Sequence, residues 1–231
     1  MKHATGRSRR RNGFTLLELI IVMALISMLA GVILPTSGAI LRSKGRRATI
    51  EEMGLIAAAS QEFYRDTRQF PSDPLDLLGS GTAGWSGPYL PGVVDDPWSG
   101  QAGYAVDGFG TDYVFAASGV QMTITSLGAD RTSGTADDIQ LDVNVTALLR
   151  QMTMDELRVI NVAITQYNAL HLAINPLPGD FAVALSVLEG ASFLPIGSDY
   201  GTDEWGDAYT GDPPAVSPMT AAISVNISGG P

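Results

Sequence analysis

The sequence predicts an α+β protein in which one long N-terminal helix packs on a small antiparallel sheet. The first observation is an apolar run of membrane-spanning length from Phe14 to Leu34. The second is a helical pattern beyond this run, in which apolar residues recur every three or four positions up to about Thr67. The third is a change after Pro71 to short alternating segments punctuated by glycine, proline and aspartate, which is typical of strands and turns.

Charge is distributed unevenly along the chain. The net charge is −10, from 24 acidic and 14 basic residues. Most of the basic residues lie before Ala48, whereas the residues from Glu51 onward are strongly acidic. An acidic body argues against nucleic-acid binding and suits solubility or divalent cations. The basic cluster Arg42–Arg47 has two open interpretations, contact with anionic lipid headgroups or a solvated helix flank.

The residue types that most enzymes use are scarce. The chain has no cysteine, which excludes disulfides and thiol chemistry. His3 and His171 are the two histidines, so most zinc sites and most acid–base catalysis near neutral pH lack their usual residues. We therefore expect a protein without catalytic activity.

The apolar run contains one acid, Glu18. A charge in a helix of bilayer length is costly, so such a residue is a functional hypothesis by default. The run could be a plain transmembrane anchor, a secretory signal cut near Ser37–Ala39, or a prepilin-type signal cut before the run. The first two interpretations account neither for Gly13-Phe14 nor for Glu18.

The stretch Gly13-Phe14-Thr15-Leu16-Leu17-Glu18, followed by Pro35, resembles the N-terminal motif of the type IV pilin family, which includes the pseudopilins of type II secretion. The resemblance implies that the prepilin peptidase cuts after Gly13 and that Phe14 becomes the methylated N-terminus. It also implies that Glu18 pairs with the N-terminal amine of a neighbouring subunit, which spares either charge from being buried alone. Pro35 lacks a donor N–H and is expected to kink or locally melt the helix.

The sequence divides into four segments. Residues 1–13 form a leader peptide, 14–47 the apolar stem, 48–150 a pilin-like head, and 151–231 a second head. Within the first head the sequence predicts the following elements: a helical turn at Asp73–Leu78, strands at Tyr113–Phe115 and Gln121–Thr125, and a turn at Ser118-Gly119.

A glycine-rich loop, Ser126–Ile139, carries three acids and resembles the calcium loop of the major pseudopilins. It lacks the spacing of an EF-hand. The resemblance implies these ligands: the side chains of Asp130, Asp137 and Asp138 and the backbone carbonyls of Leu127, Thr135 and Ile139. Arg131 stands where the family often has glycine, and its charge is expected to weaken the site. The alternative is an acidic surface turn without an ion.

Residues 151–231 echo the first head. Three pairs of segments correspond: Thr49–Met53 with Thr153–Leu157, Asp96–Ser99 with Asp203–Gly206, and Tyr104 with Tyr209. These echoes predict a diverged internal duplication that lacks the apolar stem and the calcium-type loop. Chance similarity between two amphipathic α+β segments is the alternative.

Together these features predict a pilin-like subunit that polymerises into a periplasmic pseudopilus of a type II secretion system. The expected partners are further copies of the chain, other pilin-like subunits, the prepilin peptidase and the inner-membrane assembly platform. The precursor is expected to cross the inner membrane once, with its N-terminus cytoplasmic and its head periplasmic. The alternatives are a structural subunit of a type IV pilus and a membrane-tethered calcium-binding module that does not polymerise.

Overall fold

The N-terminal part of the chain forms one long helix. The computed structural model describes residues 15–91, 103–197 and 199–227, and of residues 29–37 only the backbone. Helix α1 runs from Leu16 to Thr67 over 52 residues, which corresponds to about 78 Å at 1.5 Å per residue. The predicted continuation of the apolar stem into the head as a single helix is confirmed.

Helix α1 passes Pro35 without interruption. The predicted local melting at this residue is therefore wrong, while a kink in the helix axis stays a prediction. A proline inside a helix removes a single N–H donor and crowds one preceding carbonyl. The helix continues for about nine turns beyond it, and these turns are held in part by packing against the head.

The first head packs the C-terminal part of α1 against a three-stranded antiparallel sheet. Its strands, in the order β1–β2–β3, are β1 (Val114–Ser118), β2 (Gln121–Ser126) and β3 (Ile139–Asn144). The predicted α+β fold, the two predicted strands and the turn between them are confirmed. Fully buried side chains fill the space between helix and sheet, including Met53, Ile56, Phe63, Met122 and Ile124.

A short 3₁₀ helix, Pro74–Leu77, follows α1 and closes the first core. The carboxylate of Asp73 accepts the N–H of Leu75 at 2.7 Å and caps the helix start. Proline suits the first helical position because its missing N–H is not needed there. Leu77 is fully buried, so the helical turn predicted at Asp73–Leu78 is confirmed as part of the core.

The second head has a hydrophobic core of its own. It consists of α2 (Thr146–His171), α3 (Phe181–Gly190) and an antiparallel pair of strands, β4 (Thr210–Asp212) and β5 (Ala221–Ile223). The most deeply buried side chains include Ile160, Ile164, Leu177, Leu188 and Met219. Helix α3 was not predicted, because its mixture of alanine, valine and leucine shows no clear polar face.

The long helix of each head holds a threonine that fastens the same loop. Thr49 Oγ1 accepts the N–H of Gly108 at 3.0 Å, and Thr153 Oγ1 accepts the N–H of Glu204 at 3.2 Å. The buried side chains that follow have the same spacing in both helices: Ile56, Ala59 and Phe63 in α1, and Ile160, Ala163 and Tyr167 in α2. Both heads therefore place a loop against their helix at an equivalent point.

Candidate functional site

The start of α1 places Glu18 in a helix cap. Thr15 is extended, and its hydroxyl accepts the N–H of Glu18 at 3.3 Å. This is one of the two hydrogen bonds of a capping box, in which Thr and Glu lie three residues apart. The sequence carried that signal, but the prediction considered only the pairing of Glu18 with another subunit. Gly13 and Phe14 lie outside the described residues.

Glu18 is favoured at this position for a local electrostatic reason. A negative charge in the first turn interacts with the positive end of the helix dipole, an effect of about 0.3–1 kcal/mol. Glu18 is exposed and, within the described residues, forms no ion pair. The carboxylate is therefore compatible with the helix start and open to a cationic partner from outside the chain.

The described part of the stem exposes a continuous apolar surface. Leu16 is 78% exposed and Met28 is 75% exposed, and the residues between them are almost all apolar and exposed as well. Contiguous apolar surface of this extent on a soluble protein marks a contact with other molecules. Among the described residues, no helix combines the length and the apolar character that crossing a membrane requires.

The calcium-type loop brings its three carboxylates towards one hydroxyl. Thr135 Oγ1 lies 2.7 Å from Asp137 Oδ1, 3.3 Å from Asp130 Oδ1 and 3.4 Å from Asp138 Oδ1. Asp137 also accepts the N–H of Asp130 at 3.0 Å. The hydrogen bonds from Thr135 and from the Asp130 amide lower the pKa of Asp137, which favours the charged form that a cation would bind.

Three residues of this loop, Gly128, Arg131 and Gly134, have positive φ. Gly128 has φ 66°, and a Cβ there would come within 2.4 Å of the carbonyl oxygen of Asp137, so only glycine fits. Arg131 has φ 57° and directs its guanidinium to the carbonyl of Phe109, with an N–H···O distance of 2.8 Å. The charge of Arg131 is thus engaged outside the cluster of carboxylates. The predicted weakening of the site by Arg131 stays a prediction.

The donor set of the loop fits calcium in part. Calcium takes six to eight oxygen ligands, many of them carbonyls, and Leu127 and Ile139 flank the neck of the loop where β2 ends and β3 begins. However, the described residues contain no group of three or more His, Cys, Asp or Glu side chains arranged to hold a metal. The three carboxylates all lie near the Thr135 hydroxyl, but this does not place their oxygens around one point where an ion could contact all three. Calcium binding would therefore depend on carbonyl ligands as well as Asp130 and Asp137.

A buried aspartate anchors the neck of the loop. Asp107 Oδ1 accepts the N–H groups of Phe109 and Thr111, both at 2.9 Å, and Oδ2 accepts the hydroxyl of Ser126 at 2.5 Å. Ser126 Oγ in turn accepts the N–H of Gly128 at 3.2 Å. Asp107 thus ties the loop before β1 to the loop after β2. The sequence prediction missed this residue.

The second head repeats this anchor with Asp203. Its Oδ1 accepts the N–H groups of Trp205 and Asp207, both at 3.0 Å, and its Oδ2 accepts Ser224 Oγ at 2.6 Å and Asn226 Nδ2 at 2.9 Å. Burial opposes ionisation of Asp203, but these hydrogen bonds outweigh it and lower the pKa of the carboxyl. We refer to Asp107 and Asp203 as the two hub aspartates.

The contacts correct the predicted pairing of the two heads. Asp203 and Tyr209 take the roles of Asp107 and Tyr113, not those of Asp96 and Tyr104. Asp96 lies outside the described residues, and it was chosen because Asp-Pro-Trp matches Asp-Glu-Trp in letters. The pattern that both segments share is aspartate, an aromatic residue two positions on, glycine, and tyrosine six positions after the aspartate.

A tyrosine–glutamate pair accompanies each hub aspartate. Tyr113 donates its hydroxyl to Glu52 Oε2 at 3.0 Å, and Tyr209 donates to Glu156 Oε2 at 2.8 Å. Burial raises the pKa of Glu52 to about 7, partly offset by the tyrosine hydrogen bond. Burial likewise raises the pKa of Glu156. Each pair joins the strand side of its head to the long helix.

In the part of the chain that the structure describes, one ion pair joins the two heads. Arg68 caps the end of α1 with φ 58°, and its guanidinium lies 2.6 Å from Glu204 Oε1. The side chain of Glu204 is only 6% exposed, whereas that of Arg68 is 46% exposed. Glu204 has the position in the second head that Gly108 has in the first. Because glycine has no side chain, the first head cannot form an equivalent ion pair with the helix of the second.

Comparison with known proteins identifies the N-terminal motif. The prokaryotic N-terminal methylation motif matches residues 8–34. Type II secretion system core protein G from Pectobacterium carotovorum is 27% identical over 141 residues, covering 56% of this chain and 83% of that protein. The proteins of the same name from Klebsiella pneumoniae and Aeromonas hydrophila are 25% and 26% identical, and cover 57% and 58% of this chain and 94% and 93% of their own lengths.

The relatives account for only part of the chain. Their alignments leave well over a third of its residues unmatched, and no solved structure matches it. The methylation motif covers Gly13, Phe14 and Glu18, which the sequence singled out. The chain therefore carries a prepilin-type methylation motif and is homologous to type II secretion system core protein G.

Proposed function

We propose that this chain is a pseudopilin-type structural subunit of a type II secretion system. The observation that carries the proposal is the methylation motif at the head of an exposed apolar helix that continues into a folded head. Homology to core protein G favours type II secretion over a type IV pilus. Copies that associate through such stems without closing a ring form an open helical filament.

Before assembly the precursor is held in the inner membrane by its stem, with the head in the periplasm. The exposed apolar stem and the basic residues ahead of it support this orientation. Because the chain has no cysteine, Ser118→Cys at the exposed end of β1 would be its only thiol. An impermeant maleimide should label this thiol in cells with a permeabilised outer membrane. Labelling only after lysis would contradict the orientation.

Processing is tested by mass spectrometry of the mature N-terminus. The prepilin peptidase should release residues 1–13 and leave methylated Phe14. A mature chain that begins at Met1, or one cut after the apolar run, would contradict the proposal. Gly13→Leu should block cleavage, whereas Gly38→Leu, at a half-buried position in α1, should not.

Assembly is tested at Glu18. Glu18→Ala should abolish filaments formed when the chain is overproduced in a host with the secretion system, because the partner amine loses its counter-charge. The matched control is Glu51→Ala, since Glu51 is an exposed acid on the same helix. Retention of the helix start should be checked by hydrogen exchange near Thr15, which separates loss of the cap from loss of assembly. Unchanged filaments in the Glu18 variant would sink the proposal.

We further propose that the loop between β2 and β3 binds calcium through Asp130, Asp137 and neighbouring carbonyls. The convergence of three carboxylates near Thr135 supports it. Titration calorimetry on the full chain should show calcium heat that Asp137→Asn removes. The control is Asp142→Asn, an exposed acid on β3. Absence of calcium heat in the wild-type chain would make the loop an acidic turn.

The second head is, in this proposal, a diverged copy of the first. Matched hub aspartates, matched tyrosine–glutamate pairs and matched helix threonines support it. Three independent contacts at corresponding places are difficult to attribute to chance similarity of two amphipathic segments. The functional consequence is that one stem carries two heads.

A further inference from the structure

Four basic residues surround α1 at the end of the stem that adjoins the first head. We call Arg42, Lys44, Arg46 and Arg47 the basic collar. All four are exposed. None of them is paired with a carboxylate in the described ranges of the chain, and the sequence has no acid between Glu18 and Glu51. The collar is therefore a concentrated positive charge without an internal partner among the described residues.

The collar charges are spread around the helix. At about 100° per residue, Arg42 and Arg46 lie on one side, and Lys44 and Arg47 lie on the other. Gly45 and Thr49 occupy the remaining side. That side faces the head, because a Cβ on Gly45 would lie 2.9 Å from the ring of Phe109. Cations thus point to every side of the helix that the head leaves open.

Positive charges on all the open sides of a helix favour contact with a surface that surrounds the helix. A protein that binds the helix would contact one side of it, and basic residues on that side alone would be sufficient. An anionic membrane surface presents phosphate groups on all sides of an emerging helix. The geometry of the collar thus favours a lipid surface over a single protein partner.

The distance between the apolar run and the basic collar also favours a lipid surface. In α1, the part of the apolar run from Leu16 to Leu34 spans about 28 Å, close to the thickness of a hydrocarbon core. Arg42 follows about 12 Å further along. Helical side chains lean towards the helix N-terminus, here towards the membrane, and long basic side chains extend their charges to the headgroups. Ile40 and Leu41, 55% and 68% exposed, add apolar contact at the same level.

The basic collar and the acidic heads differ in how they interact with an anionic membrane. From Glu51 onward the chain is strongly acidic, so an anionic surface repels the heads and attracts the collar. Arg131 lies at the collar end of the first head, since it donates to Phe109, and the neighbouring Asp130 partly offsets its charge. Attraction at the collar and repulsion beyond it would hold the heads away from the membrane.

We propose that the basic collar binds anionic phospholipid headgroups and holds the precursor upright before assembly. This rests on the proposed membrane-held state. The test uses the full chain in vesicles of phosphatidylcholine, with or without about a third phosphatidylglycerol, at low salt. A nitroxide on Ser43→Cys, the only cysteine in that variant, reports collision with a water-soluble nickel complex.

Phosphatidylglycerol should lower the collision rate at position 43 by about twofold or more, and 0.5 M salt should reverse the change because it screens the attraction. Changing Arg42, Lys44 and Arg47 together to Gln should remove the lipid effect. The charge-matched control changes Arg65, Arg150 and Arg158 to Gln and should retain it. An equal collision rate in both lipids, or a lipid effect that survives in the collar variant, would overturn the proposal.

Two further outcomes identify which idea fails. The collision rate at position 43 could instead depend on the protein-to-lipid ratio and not on phosphatidylglycerol. That result would show that the collar binds the acidic heads of neighbouring copies, and it would overturn lipid binding. A nitroxide on Val22→Cys, in the stem, should be inaccessible to the nickel complex in every vesicle. Free access there would contradict the membrane-held state itself.

Discussion

The first and second heads are built around the same hydrogen-bonded anchor but differ in what is attached to it. In each, a buried aspartate binds the backbone of its own loop and a serine near the end of a strand. Among the described residues, only the first head continues from this serine into an acidic loop, and only its helix extends into the apolar stem. The comparison separates the anchor, which both heads share, from the loop and the stem, which the described residues show in the first head alone.

The largest expected effect follows from removing a hub aspartate. Asp107→Ala leaves the Ser126 hydroxyl and two backbone N–H groups without their acceptor, and Asp203→Ala does the same in the second head. Each unsatisfied buried donor costs about 1–3 kcal/mol, so we expect a loss of about 4 kcal/mol in the affected head. Hydrogen exchange measured by mass spectrometry should show loosening confined to the head that carries the change.

The matched control for each hub is its serine. Ser126→Ala and Ser224→Ala remove one donor to the aspartate and one acceptor of a backbone N–H, but they leave the aspartate's own backbone contacts in place. A loss of about 1–2 kcal/mol is therefore expected, smaller than that of the aspartate variants. If Asp107→Ala and Asp203→Ala loosen both heads equally, the two heads do not have independent anchors and the comparison fails.

The contact between the heads gives the next largest effect. Arg68→Ala leaves the nearly buried carboxylate of Glu204 without a cation, which we expect to cost about 1–2 kcal/mol. Arg65→Ala is the control, because its pair with Glu62 is about half exposed on both sides and should contribute less than about 0.5 kcal/mol. Denaturant unfolding of both variants measures the difference. Equal losses would mean that the two heads are not coupled through Arg68.

The tyrosine–glutamate pairs predict a pH dependence that differs between the heads. The pKa of Glu52 rises from 4.5 to about 7 on folding, so the folded state retains a proton that the unfolded state has lost. Stability therefore falls as the pH rises from 4.5 to about 7 and stays lower above it. Glu52→Gln should remove this fall and, allowing for partial exposure, stabilise the first head by about 1 kcal/mol at pH 8.

The second head provides the comparison for this effect. Burial raises the pKa of Glu156 by less than it raises that of Glu52, and the hydrogen bond from Tyr209 opposes the rise. Glu156→Gln should therefore give a smaller gain at pH 8 than Glu52→Gln. Unfolding followed by hydrogen exchange at pH 5 and pH 8 measures both. A larger gain for the Glu156 variant would show that burial disfavours the charged form of Glu156 more than that of Glu52.

The smallest expected effect concerns Arg131, in the acidic loop of the first head. Its guanidinium is engaged by the carbonyl of Phe109, so Arg131→Gly should change the calcium dissociation constant by less than about threefold. Glycine also adopts the left-handed backbone conformation of this position without strain. This contributes about 1 kcal/mol to stability and offsets the loss of the hydrogen bond to Phe109. Calorimetry on both chains measures the change. A tenfold tighter site in the variant would show that Arg131 weakens calcium binding.

Local sequence determined much of this protein. The motif around Gly13 and Glu18, the apolar run and the helical periodicity after it predict one long helix and its processing site. The alternation in Gln121–Thr125 and the presence of Pro74 predict their strand and helical turn. These are short-range signals, since hydrogen-bonded turns, caps and alternation involve residues within a few positions of each other.

Only the tertiary structure revealed the hub aspartates and the correct pairing of the heads. The donors to Asp107 include Ser126, which lies nineteen residues away, and no periodicity links the two. In the sequence, Asp107 is one of several acids next to a glycine. The segment that begins at Asp96 resembles the segment that begins at Asp203 because both have tryptophan two positions later. Burial and hydrogen-bond partners distinguish these aspartates, and both properties depend on how distant segments of the chain pack together.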